Sequence, residues 1–149
     1  MTANAVAETP QTAAPARTAA YCLTEAGKVL LRWAETVGKR DIDALLALYA
    51  ADAILVPTLS DDIRGRYEDR RTYFESFLAV DGLSCGVTVQ KKRVSSKLGT
   101  VVIGGLYTFV FVRKGVSEPV NARFLFTFEE IEGQWLITGH HSSRASEGV

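Results

Sequence analysis

The side chains best suited to acid–base chemistry lie together near the end of this 149-residue chain, as His140, His141, Ser142 and Ser143. The chain has only these two histidines, so imidazole proton transfer or ligation must pass through one dipeptide. Successive side chains of a strand face opposite sides. The run therefore puts one imidazole and one hydroxyl on each face, with i and i+2 about 7 Å apart. Such a pair could flank a small ligand. A lone histidine near a sheet edge is more often structural, and terminal serines are usually solvated, so the run needs companions before it is a site.

Four segments offer companions. Thr58 follows Pro57, and Ser60 is two residues further on; the ordinary reading of both is local turn bonding. Tyr73 stands one helical turn before Phe77, and Tyr107 alternates with Phe109 and Phe111, as packed aromatics with a polar tip do. Phe124, Phe126 and Phe128 alternate with Arg123, Leu125 and Thr127. No Asp or Glu falls mid-strand on the Phe face, so no buried carboxylate base is supplied there. Asp61, Asp62, Arg64 and Arg66 read as a solvated charge cluster. Gly104-Gly105 lies within a strand and marks a bend or close packing, not a phosphate-cradling loop. Cys22 and Cys85 lie far from His or Cys at ligand spacing, and two histidines on opposite faces cannot make a three-ligand zinc site.

The elements that must position these groups follow from hydrophobic period. Residues 1–20 are rich in Ala and Thr, with Pro10 and Pro15, and read as a disordered tail ahead of one domain over 21–149. The tail lacks the basic start and apolar core of a signal peptide, so a cytoplasmic location is expected. Ala26, Val29, Leu30, Trp33 and Val37 share a helical face, with Thr24 as cap and Gly38 as left-handed end. Asp41 caps a second helix carrying Ile42, Leu45, Leu46 and Tyr49. Ala53 to Val56 is a short strand, and Asp69 caps a third helix with Tyr73, Phe74, Phe77 and Leu78. The period then becomes two, predicting strands over Cys85 to Arg93, Thr100 to Arg113, Val120 to Ile131 and Gln134 to Ser143. Helices followed by a four-strand meander give an α+β fold whose curved, mostly antiparallel sheet packs on the helices and encloses a cone.

Large aromatics belong against the helices, so Phe124, Phe126 and Phe128 face the interior. Which histidine joins them depends on the turn at Glu132-Gly133. A two-residue loop pairs Phe124 with His141 and turns His141 and Ser143 inward. A three-residue loop with Gly133 in a bulge pairs Phe124 with His140, and turns Leu136, Thr138, His140 and Ser142 inward. Glu is a poor first residue for a type I′ turn, which favours the second register.

Composition narrows the classes of function. Lys and Arg number 17, as do Asp and Glu, giving a formal net charge of zero. That leaves no basic excess to neutralise nucleic-acid phosphates. No segment approaches the roughly 18 to 20 apolar residues of a membrane span.

The element order and the ending GQWLITGHHSSR resemble the nuclear-transport-factor-2-like (NTF2-like) superfamily. Within it, the Gly-x-Trp turn and the strand ending in His-x-Ser are similar to the association domain of calcium/calmodulin-dependent kinase II. LVPTLSDDIR, YFESFL and HHSS together resemble the iota class of carbonic anhydrases, over about residues 24–144. This resemblance implies a small pocket in the cone, with Thr58, Tyr73, His140 and Ser142 acting on carbon dioxide or bicarbonate and no metal required, although metal is not excluded. Ser60, Phe77, Tyr107 and Phe126 are the expected substrate contacts. A homo-oligomer, most simply a dimer, is the expected assembly. The RASE that follows the double Ser departs from the Met-Pro-like continuation expected of that class. In this reading a neutral His140 accepts or relays the proton lost by water, while the hydroxyls donate to the forming bicarbonate. Two readings of other kinds stand beside it. One is a non-catalytic association module that binds a small ligand. The other is an isomerase or cyclase acting on a larger ring, which would want an acidic base in the cone. Pocket size separates them: a few heavy atoms for carbon dioxide, several hundred cubic ångströms for a drug-sized ligand.

Overall fold

A computed structural model describes residues 17–146, so the expected disorder of residues 1–16 lies outside the described residues. Three helices pack on one face of a five-stranded sheet. The helices are α1 (Ala19–Lys39), α2 (Ile42–Leu46) and α3 (Tyr67–Leu78). The strands are β1 (Tyr49–Val56), β2 (Ser84–Ser95), β3 (Thr100–Arg113), β4 (Val116–Ile131) and β5 (Gln134–Arg144), ordered β1-β5-β4-β3-β2. β2 to β5 form the expected antiparallel meander. The fifth strand is the short run after α2, which joins β5 in parallel.

Every residue named for the apolar face of α1 is buried. The helix starts earlier than expected because Thr18, not Thr24, accepts from the Tyr21 amide as its cap. Residues 19 and 20 are therefore helical and not part of a tail. At the other end Arg40, not Gly38, takes the left-handed conformation (φ 55°). Its guanidinium donates to the Val80 carbonyl at 2.7 Å, anchoring that residue beyond the helix. α3 likewise begins before Asp69, which sits in the first turn and pairs with the preceding Arg66 at 3.1 Å.

Tyr49, expected on α2, instead opens β1. Between Tyr49 and Ile54 the strand breaks register with β5, freeing backbone carbonyls that burial forbids to remain unpaired. Arg70 of α3, 1% exposed, donates to Ala50, Ala51 and Ala53 at 2.7–3.2 Å. This clamp lets β1 loop out and return to pair Leu55 with His140 and Val56 with His141. Gly105 is the close approach expected: a Cβ there would lie 1.9 Å from the Val89 carbonyl oxygen.

Both β3–β4 and β4–β5 are joined by two-residue turns with positive φ at each position, Lys114-Gly115 (51° and 76°) and Glu132-Gly133 (51° and 80°). The first corrects the strand start expected at Val120, since Val116 to Pro119 already belong to β4. The second corrects the three-residue loop. The right-handed twist of the strands selects this turn and outweighs a cost of about 1–2 kcal/mol for a left-handed Glu. The odd residue is absorbed further along, in a bulge at Thr138, where the pairing passes from Phe128↔Ile137 to Thr127↔Gly139. Trp135 and Ile137, not Leu136 and Thr138, therefore face inward near the turn. Beyond the bulge the ladder pairs Phe126 with His140 and Phe124 with Ser142, not Phe124 with His140. The expected inward pair is right, through a bulge and not through the turn.

Candidate active site

His140 and Ser142, 4% and 7% exposed, project from β5 into the cone; His141 projects to the exposed side. The parallel pairing of Val56 with His141 delivers the chain beyond β1 directly to Ser142. Thr58, two residues past Val56, donates to Ser142 Oγ at 2.6 Å. From β3, the Tyr107 hydroxyl also donates to Ser142 Oγ. Ser142 thus accepts twice, and its own hydrogen is left for the cavity.

His140 is held on every side. Phe126 stacks on it with ring centroids 3.8 Å apart, and the Trp33 ring meets it edge-on at 5.2 Å. Its Nδ1 lies 2.9 Å from Tyr49 Oη and its Nε2 lies 3.2 Å from Tyr107 Oη. Tyr49 Oη in turn accepts from Trp33 Nε1 at 2.9 Å. Burial foremost, and then the neighbouring His141, push the His140 pKa down to about 3. With both nitrogens engaged and its basicity removed, His140 is not the proton acceptor expected from sequence. Burial also raises the phenols of Tyr49, Tyr107 and Tyr73, and the Thr58 and Leu59 backbone amides only partly offset this for Tyr73. All three remain protonated donors at neutral pH.

These groups enclose a cavity of about 10 Å³, lined chiefly by Trp33, Thr58, Tyr73, Phe77, Tyr107, Phe109, His140 and Ser142. That is close to the minimum volume for one water. A larger groove of about 360 Å³ adjoins it and shares Thr58, Phe77 and Phe109 with it. Leu59, Val80, Leu83 and Phe111 make the groove apolar, with Arg113, Glu118 and Arg144 also on its lining.

Of the expected residues, Thr58, Tyr73, Phe77, Tyr107, His140 and Ser142 converge. Ser60 does not: it accepts from Arg64 and from the Asp62 amide, outside the lining. Phe126 stacks beneath His140 and is not on the lining, so it supports the site without facing a ligand. Sequence reading missed Tyr49 and Trp33 as polar partners, because both sit in apolar helical patterns. It also missed Arg64, expected in solvent but only 18% exposed in its side chain and 6.0 Å from the Tyr73 ring. No group of three His, Cys, Asp or Glu side chains among the described residues converges as a metal-ligand set. No helix among them is long and apolar enough to cross a membrane.

Three helices on one face of a five-stranded sheet ordered β1-β5-β4-β3-β2 give the NTF2-like fold. The solved structures agree: an NTF2-like protein of cystatin-like fold from Novosphingobium aromaticivorans matches at TM-score 0.74 and 12% identity, covering 85% of this chain and 84% of its own. A protein from Streptomyces avermitilis, provisionally described as a dehydratase of the NTF2-like family, matches at 0.76 and 13%, covering 86% and 99%. Within that class, residues 24–146 match the calcium/calmodulin dependent protein kinase II association domain, and the chain belongs to this family. A structure from Xanthomonas campestris, provisionally described as such a domain, is 31% identical at TM-score 0.77, covering 94% of this chain and 97% of its own. No curated protein matches the chain.

Proposed function

We propose that the protein hydrates carbon dioxide to carbonic acid where the inner cavity opens into the groove, with water in the cavity and carbon dioxide at its mouth, without a bound metal, using the hydroxyls of Ser142, Thr58, Tyr73 and Tyr107. One observation carries this reading: a buried Ser142 hydroxyl that accepts from two neighbours and keeps its own hydrogen for a cavity walled by aromatic rings. Carbon dioxide loses no hydrogen bonds on entering an apolar groove, and Thr58, Phe77 and Phe109 lead from groove to cavity.

His140 is too weak a base to take the proton of water, so a bifunctional hydroxyl does so instead. The water oxygen forms its bond to carbon while one water proton passes to Thr58 Oγ1, whose own proton moves along its hydrogen bond to Ser142 Oγ. The Ser142 hydrogen passes to a carbon dioxide oxygen in the same step. One O–H of water and one C–O π bond are broken, and both hydroxyls are regenerated. The product is neutral carbonic acid, which ionises in solvent. Tyr73 donates to the oxygen on which charge develops. The resemblance to iota-class carbonic anhydrases supports the same substrate. Stopped-flow hydration assays with and without chelator test this. Acceleration that survives the chelator is expected; metal-stripped protein that leaves the uncatalysed rate unchanged would sink the proposal.

The groove favours a second reading, an association module binding a small apolar ligand, because about 360 Å³ lies within the range of ligand pockets. In that reading the outer sheet face, where Leu106 and Leu125 are 40% and 46% exposed, joins two copies. A stable dimer by sedimentation together with no hydration activity would favour it. No carboxylate lines the inner cavity, so the isomerase reading lacks its base.

A further inference from the structure

The buried chain from Trp33 to Ser142 has only one consistent direction. At one end, the single proton of Tyr107 goes to Ser142 Oγ, so toward His140 Tyr107 can only accept. His140 therefore carries its proton on Nε2. A neutral imidazole has one N–H, which leaves Nδ1 as an acceptor, and its neighbour there is the Tyr49 hydroxyl at 2.9 Å. At the other end, the indole N–H of Trp33 is a donor with no accepting role, and it fills a lone pair of Tyr49 Oη at 2.9 Å. A Tyr49 that accepts from the indole is free to give its proton to His140. The end on β3 and β5 requires this tautomer, and the end on α1 favours it, because it alone gives the Tyr49 hydrogen an acceptor.

Reversing the chain shows what the direction achieves. With the proton on Nδ1, the Tyr49 hydrogen would lose its acceptor and remain beside the indole N–H. Tyr107 would turn its proton to Nε2, and Ser142 would have to donate to Tyr107. The cavity would then lose its one serine donor. We propose that Trp33 and Tyr49 are positioning residues that lock His140 as the Nε2–H tautomer and so keep the Ser142 hydroxyl hydrogen aimed at an oxygen acceptor in the cavity. The tautomer stands on the hydrogen bonds alone; only its consequence for turnover rests on the proposed hydration.

Long-range ¹H–¹⁵N correlation of the His140 ring in the full chain tests this. The native protein is expected to show only the Nε2–H form across the neutral range, and an Nδ1–H form would overturn the proposal. In Trp33→Phe and Tyr49→Phe, loss of the directing donor is expected to bring in a measurable Nδ1–H fraction. An unchanged single tautomer in both variants would overturn the positioning role. In the hydration assay these variants are expected to lower kcat about tenfold, the loss of one net hydrogen bond, with KM little changed. If the native protein shows no hydration, the reaction fails while the native spectrum still decides the tautomer, even should neither variant fold.

Discussion

His140 and His141 are neighbours of the same type on one strand, yet they live in different media. His140 is pressed between Phe126 and Trp33, with both nitrogens engaged and its basicity suppressed. His141 faces the exposed side of the sheet, opposite Leu125 and Val56. The same alternation separates Ser142, buried with two donors, from the half-buried Ser143. A single bulge at Thr138 decides which pair enters the cone. Residue type alone therefore says little here, and face says nearly everything.

Substitution on the two faces gives the largest contrast. Ser142→Ala is expected to reduce hydration about 100-fold or more, as loss of a preorganised donor does, while Ser143→Ala leaves the rate within twofold. In urea titrations His140→Ala is expected to lower stability by about 3 kcal/mol. It opens a hole beneath Phe126 and strands two buried hydroxyls, whereas His141→Ala changes stability by less than about 0.5 kcal/mol.

The same contrast has a pH signature. A histidine whose folded pKa is depressed binds its proton more readily when unfolded. Its stabilising contribution is thus complete above the unfolded value near 6.5 and is lost as pH falls toward about 3. Native stability should decline by up to about 1.4 kcal/mol per pH unit through that window, and His140→Gln should flatten the decline. The hydration rate should show no inflection attributable to His140 near 6.5.

The smallest expected effect concerns the bulge. A Cβ at Gly139 would come within 2.7 Å of Thr127 Oγ1, which bonds Thr138 Oγ1 at 2.8 Å. Gly139→Ala should cost about 1 kcal/mol by thermal unfolding, with smaller changes at Thr138.

Much of this was legible in the sequence. The face of α1 and the aromatic face of β4 follow from period and alternation, whereas the convergence of Thr58, Tyr73 and Tyr107 on the histidine run was implied only by the family resemblance. Tyr49 was not legible, because a tyrosine at helical spacing from Leu45 reads as the next position of that helix. Only the Arg70 clamp, a tertiary contact from α3, shows why the chain turns into a strand there. The role of His140 also escaped. Imidazole in a terminal strand suggests a base, and its loss of basicity depends on burial by Phe126 and Trp33 from two other elements.

The most direct test compares Ser142→Ala with Ser143→Ala in stopped-flow carbon dioxide hydration, in chelator and beside the native protein. A chelator-insensitive native rate well above background is expected, with a loss of about 100-fold in the first variant and none in the second. Equal rates for the two variants, or a native rate at background, would contradict the proposed hydration.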